Sequence, residues 1–209
     1  MDAARLEPPR AHVPLQAVGC LSDLKAILDD AVDGVMLKRR VPLAVQSALD
    51  SMPLEPVMGE RLCLPSDHVA DAVRHLFAEW GLGDGEAKEW LAEDVQALAM
   101  HFAQILSITN VTLRFEVIHD DACRRFHRDA IRARLICTYR GAGTEFGVAE
   151  PGDEPDIVET APTGCPIILK GKAWPGSKAP TLVHRSPPIE GTGMLRLVVV
   201  IDEVLPDFI

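Results

Sequence analysis

Residues 126–129 read Phe-His-Arg-Asp, so His127 and Asp129 stand two apart. In an extended segment, residues two apart point to the same face. An imidazole and a carboxylate placed this way can bind one cation as neighbouring ligands. A second histidine, His184, lies 55 residues beyond Asp129 in Leu-Val-His-Arg-Ser-Pro-Pro. Two imidazoles and one carboxylate sharing a face leave coordination positions open, the donor set that suits a facially bound Fe(II). A second His-Asp pair, His119-Asp120, precedes the first, and Cys123 stands four residues before His127. Cys123 and His119 therefore offer further ligands, and a Cys/His/Asp/His set would suit Zn²⁺. Each of these residues also has a structural reading. His127 and Asp129 suit a surface turn with a local ion pair, and His184 suits a buried imidazole bonded to backbone.

The elements that must position these residues fall into two textures. In the first half, Ser22 opens a short helix over 22–31, and Pro42 fits the first turn of another over 42–52. Residues 34–40 read as a short strand. Val69, Ala72, Val73, Leu76, Phe77 and Trp80 recur at helical spacing after Ser66, and Gly81 stands where a left-handed terminator belongs. Trp90, Leu91, Val95, Leu98, Phe102 and Ile105 mark the apolar face of a helix over 85–106. From residue 108 onward, alternating runs rich in β-formers take over. VTLRFEVI and IRARLICTYR come first, then TEFGV, DIVET, CPIILKG, TLVH and MLRLVVVID, separated by Gly- and Pro-rich turns. Amphipathic helices need a surface to cover, and a sheet is the usual partner. The expectation is an α+β chain. Residues 1–19 form a Pro-rich arm, 20–106 a mainly helical layer, and 107–209 the β core on which that layer packs, as one domain.

The order FHRD, RLICTYR, GAGTEF, CPIILKG, VHRSPP, LRLVVVID resembles the Fe(II)/2-oxoglutarate-dependent dioxygenases of the double-stranded β-helix type. The resemblance implies a jelly-roll, cupin-like β core and a hydroxylase-like activity with Fe(II) and 2-oxoglutarate as cofactors. It assigns His127, Asp129 and His184 to the metal. Arg196, 12 residues after His184, takes the position of the basic residue that binds the far carboxylate of 2-oxoglutarate. Arg134 is the second choice for that role, and Tyr139 a hydrogen-bond donor to the same carboxylate. For Arg196 a structural ion pair, and for Tyr139 core packing, remain open. Two departures stand out: the Gly-rich segment is GAGTE, and Ser186-Pro187-Pro188 follows the distal histidine. The same features also resemble a bacterial family known as the domain of unknown function numbered 1826. That resemblance covers most of the chain, is strongest over 111–202, and implies a connection with zinc limitation.

Three functions of different classes therefore stand side by side. One is a 2-oxoglutarate oxygenase acting on a substrate the sequence does not name. Another is a zinc-binding or zinc-homeostasis protein without redox chemistry, and the third is a metal-free interaction module. Composition trims the remaining classes. With 209 residues, 47% hydrophobic and 25% charged, the chain has the make-up of a folded domain. A formal net charge of −10 disfavours nucleic acid and anionic membrane as partners. Yet residues 114–140 hold seven arginines against four acids, a basic island that suits a small anion or a solvated strand face. No apolar run approaches a membrane span and no signal segment is visible, so a cytoplasmic protein is expected. Five irregularly spaced cysteines read as reduced thiols. The P-loop spacing and the Gly-x-Ser-x-Gly elbow are both absent. The sequence leaves the oligomeric state open.

Overall fold

The computed structural model describes residues 12–204 apart from 56, 58, 83, 122, 151, 177 and 178. Ten strands and three α-helices make up the framework: β1 (Val13–Val18), β2 (Val32–Leu37), α1 (Leu43–Ser51), β3 (Glu60–Pro65), α2 (Val69–Glu79), α3 (Glu86–Leu106), β4 (Asn110–Ile118), β5 (Ala133–Arg140), β6 (Glu145–Val148), β7 (Glu159–Thr160), β8 (Ile167–Lys170), β9 (Leu182–Arg185) and β10 (Arg196–Glu203). Seven strands form a major sheet in the order β1-β2-β8-β5-β10-β4-β3, and three form a minor sheet in the order β7-β6-β9. Among the described residues only β1 and β2 pair in parallel, connected through a 3-10 segment at Leu21–Leu28.

Strand alternation assigns each face of the major sheet its task. Val111, Leu113 and Phe115 of β4, Leu135, Cys137 and Tyr139 of β5, and Leu197, Val199 and Ile201 of β10 are buried in one core cluster with the helices. That cluster includes Leu91, Val95, Leu98 and Phe102 of α3 and Val73, Leu76 and Phe77 of α2. Phe77, Trp80 and Phe115 meet edge-on or tilted, at ring separations between 5.5 and 6.1 Å. The other face carries a smaller core with the minor sheet: Ile136, Val198 and Val200 against Phe146 and Leu182. The even-numbered residues of β4 and β10, with Arg134, Ile136 and Thr138 of β5, thus point into the space between the sheets, whereas Arg140, past the register irregularity at Leu197/Val198, donates to the Met52 carbonyl at the end of α1.

The helical expectations for 42–52, 66–80 and 85–106 correspond to α1, α2 and α3. Ser66 does not cap by its side chain; Ser66–His68 is a 3-10 turn leading into α2. Gly81 takes φ +67° and closes α2, as expected. The strand expected over 34–40 corresponds to β2, and the first half is less helical than predicted because β1 and β3 join the major sheet as well. Residues 1–11 of the expected arm lie outside the described residues, and the following Val13–Val18 is a sheet edge, where Pro14 is tolerated. The architecture is a mixed α/β one with two facing sheets, without a closed barrel. Among the described residues no helix is long and apolar enough to cross a membrane.

Candidate metal and anion site

The residues before β5 run alongside the minor sheet. His127 and His184 exchange both backbone hydrogen bonds, each 3.0 Å, in an isolated antiparallel bridge. This pairing sets the two side chains abreast on one face, and the rings lie 4.5 Å apart between centroids. Asp129 enters by the spacing of two, with Oδ1 3.8 Å from His127 Nε2 and Oδ2 3.3 Å from His184 Nε2. Ligand atoms of the three residues all lie within 4.8 Å of one another. Among the described residues these three alone form such a group.

The surroundings fix each member. His127 Nδ1 lies 2.9 Å from the Arg125 carbonyl, so an Nδ1–H donated there leaves the Nε2 lone pair facing the site. His184 is buried, and burial holds its imidazole below the ordinary histidine value despite the pull of Asp129. A neutral imidazole is the form that ligates a cation. Burial alone would raise the Asp129 carboxyl. The His184 hydrogen bond and the charges of His184, Arg134 and His127 outweigh it and keep the group below its usual range. Arg134 donates to Asp129 Oδ1 at 2.5 Å and holds both Asp202 oxygens, at 2.7 and 2.8 Å. The backbone of Asp129 is clamped as well, its carbonyl accepting from the Lys172 N–H at 2.8 Å. The turn needs Gly171, since a Cβ there would come within 2.0 Å of the Ile131 carbonyl oxygen and 2.9 Å of that of Asp129.

Beyond the His127-Asp129-His184 group the space between the sheets opens into a cavity of about 370 Å³. His127, His184, Arg134 and Arg196 line it, over a floor of Ile136, Val198 and Val200. Arg196 is 1% exposed. Its guanidinium donates to the Ala142 carbonyl at 2.6 Å, the Ser186 hydroxyl at 3.2 Å and the Thr138 hydroxyl at 3.4 Å. All three acceptors are neutral, and no ion pair joins Arg196 to a carboxylate among the described residues. Burial pushes the group down to about 10, against the weak opposing pull of Glu116 and Glu145. Arg39 provides the contrast. It is held by both oxygens of Asp94, at 2.5 and 2.6 Å, and these attractions overcome burial and raise it. A buried guanidinium with only neutral partners is an incomplete arrangement, and a carboxylate or phosphate completes it.

The residues named from the sequence separate accordingly. His127, Asp129 and His184 come together, and Arg196 shares their cavity. Arg134 is adjacent, but its fork is committed to Asp129 and Asp202. Tyr139 is a correction. It lies on the helical face of the sheet, fully buried, with its hydroxyl donating to Asp94 at 2.6 Å. Residues 134 and 139 of one strand differ by an odd number, so they face opposite ways. Cys123 and His119 are exposed and line the same cavity, outside the close group of three. The sequence reading overlooked Asp94, which anchors Arg39 and Tyr139 from α3, and Asp202, whose alternation with Val198 and Val200 on β10 already pointed it at the site.

Solved structures share this arrangement of elements. The dioxygenase for auxin oxidation 1 from Arabidopsis thaliana, in complex with 2-oxoglutarate, matches over 94% of this chain and 97% of its own, with 12% identity and a TM-score of 0.54. The dioxygenase for auxin oxidation of rice matches over 95% and 88%, with 14% identity and a TM-score of 0.48. An oxidoreductase of the 2OG-Fe(II) oxygenase family from Burkholderia pseudomallei matches over 93% and 95%, with 13% identity and a TM-score of 0.45. The first of these carries the likeness, which is one of fold. A search of curated proteins finds no match. The family model of DUF1826, described as a protein of unknown function, matches residues 19–202, and the chain belongs to that family.

Proposed function

We propose that the protein is an Fe(II)- and 2-oxoglutarate-dependent oxygenase built on a double-stranded β-helix core. The carrying observation is the pairing, within one cavity, of a His127-Asp129-His184 group with a buried Arg196 that has only neutral partners. The donor set suits Fe(II), since two neutral imidazoles and one carboxylate fill one face and leave the other for exchangeable ligands. Bound there, Fe(II) with 2-oxoglutarate and O₂ would supply oxidative decarboxylation of the keto acid to succinate and CO₂, one oxygen atom going to succinate and the other to a second substrate.

The chain's own residues do the rest. His127 is held in the ligating tautomer by the Arg125 carbonyl, and His184 is kept neutral by burial. Arg134 fixes the Asp129 carboxylate by one oxygen and leaves the other toward His184. Arg196, with the Ser186 and Thr138 hydroxyls beside it, receives the distal carboxylate of 2-oxoglutarate. Ile136, Val198 and Val200 give the molecule an apolar floor and keep water from the region between its two ends. His127→Ala is expected to abolish metal retention and succinate formation together. Succinate formation by that variant at the wild-type rate would refute the assignment. Zinc holding is the alternative supported by Cys123 and His119 on the same cavity. It requires tight Zn²⁺ that weakens in a Cys123→Ser, His119→Ala double variant, with no 2-oxoglutarate binding.

A further inference from the structure

Two stretches of chain far apart in sequence meet at the site. One leads from Asp121 to Asp129 and carries His127, and the other leads from β9 to Thr192 and carries His184 and Ser186. They run antiparallel to each other. His127 and His184 exchange backbone hydrogen bonds at one end, and further out the Ser186 N–H donates to the Cys123 carbonyl at 3.1 Å. Then the contact passes from backbone to side chain. Asp121 Oδ1 accepts from the Ile189 N–H at 2.8 Å and from the Glu190 N–H at 2.9 Å.

That change of partner has a local cause. Cys123 takes φ +61°, so the chain turns between Asp121 and His127 and a regular ladder cannot continue there. The Asp121 carboxylate supplies the two bonds the backbone no longer makes. Both halves of this clasp are themselves held. The Asp121 carbonyl accepts from the Arg124 N–H at 3.2 Å. Ile189 is buried, and its carbonyl accepts from the Thr192 N–H at 3.1 Å and the Thr192 hydroxyl at 2.6 Å. The Glu190 N–H, then that of Ile189, with the charge of Arg124, hold the Asp121 carboxyl below its usual range against desolvation.

The clasp joins two functions. The first stretch brings His127 and Asp129 to the metal-ligating group. In the second, the Ser186 hydroxyl accepts from the Arg196 guanidinium at 3.2 Å. We infer that Asp121 is a positioning residue: it locks the two stretches in register and so sets the separation between the metal ligands and the carboxylate subsite at Arg196, which one 2-oxoglutarate molecule must span. This rests on the oxygenase reading above. Asp121 touches neither metal nor keto acid and acts through Ile189 and Glu190.

The test measures how far 2-oxoglutarate tightens the metal. Zn²⁺ serves as a redox-silent occupant of the full chain, and its affinity is read by competition with a chelating dye, without 2-oxoglutarate and at saturation, the dye being calibrated in the same solutions. The ratio of the two affinities reports one ligand held at both ends. Wild type should show a clear tightening. Asp121→Ala should fold and lose at least about fivefold of that ratio. Asp121→Asn keeps the Oδ1 acceptor for both N–H groups and should retain most of it, a rescue that a general loss of stability would not give. A ratio in Asp121→Ala within twofold of wild type would overturn the inference while the oxygenase reading stands. So would an equal loss in Asp121→Asn, or an Asp121→Ala chain that does not fold. If 2-oxoglutarate fails to tighten Zn²⁺ in the wild type, the oxygenase reading itself falls and the positioning role falls with it.

Discussion

Arg196→Met separates what the buried cation does for the fold from what it does for a ligand. Lowering the group to about 10 by burial corresponds to a desolvation cost of about 3 kcal/mol. Against that stand three hydrogen bonds to neutral acceptors, at 2.6, 3.2 and 3.4 Å. Hydrogen bonds to charged groups contribute about 1.5–3 kcal/mol each when well formed, and the two longer ones fall short of that. Cost and gain nearly cancel, so the variant should unfold within about 2 kcal/mol of wild type, a change of Tm of roughly 4–8 °C at most. Ligand binding should behave otherwise. Loss of a bidentate guanidinium–carboxylate pair worth about 2–3 kcal/mol weakens 2-oxoglutarate about 30- to 150-fold. The pH dependence has a defined sign. The guanidinium is charged below about 10, where both its burial cost and its hold on the anion are fully present. As the pH rises through about 10 the cost is relieved and 2-oxoglutarate affinity falls, a loss the variant does not show. Calorimetric titration at pH 7.5 and at pH 10.5, with differential scanning calorimetry alongside, measures both. A variant that binds 2-oxoglutarate as wild type does, or one that unfolds outright, would refute this reasoning.

Asp94→Ala should act in the opposite way. It strips the partner from buried Arg39 and from the Tyr139 hydroxyl, and should cost about 3–5 kcal/mol in urea unfolding while leaving any 2-oxoglutarate subsite in folded protein intact. Gly171→Ala drives a Cβ against the Ile131 and Asp129 carbonyls, so the turn carrying Asp129 must shift. Metal affinity, read by competition with a chelating dye, should fall at least tenfold, and wild-type affinity would contradict the clamp described here. In thiol titration with a disulfide reagent, Cys20, Cys63 and Cys123 should react in the native protein and Cys137 and Cys165 only after unfolding. Burial pushes the Cys137 thiol up to about 12, so its thiolate is scarce at neutral pH, and rapid native labelling of five thiols would count against the packing.

Much of the site was legible because it rests on strand periodicity. His127 and Asp129 share a face by their spacing of two, and the strand around His184 follows from TLVH and its flanking turns. The pairing of His127 with His184 was not legible, since a single backbone bridge between distant segments leaves no local pattern. For Tyr139 two readings stood open, a donor to the carboxylate and core packing, and the alternation of β5 decides between them: counted from Arg134, it falls on the helical face, in the core. The missed strands β1 and β3 lie at the two edges of the major sheet. Edge strands tolerate proline and need only one apolar face, so the segment around Pro14 reads as part of a Pro-rich arm, and Glu60–Pro65 is too short and too mixed to announce itself as a strand. The three α-helices were legible for the opposite reason. Their apolar positions recur at helical spacing for several turns, and Gly81 closes α2 where the pattern stops.

The central claim is that one cavity binds Fe(II) and 2-oxoglutarate together. Anaerobic titration tests it most directly: Fe(II) added to metal-free protein, then 2-oxoglutarate, with the visible spectrum recorded at each step. The prediction is a weak charge-transfer band that needs both components and is lost in His184→Ala. Stoichiometric Zn²⁺ binding, with no band from Fe(II) and 2-oxoglutarate at any concentration, would contradict the claim.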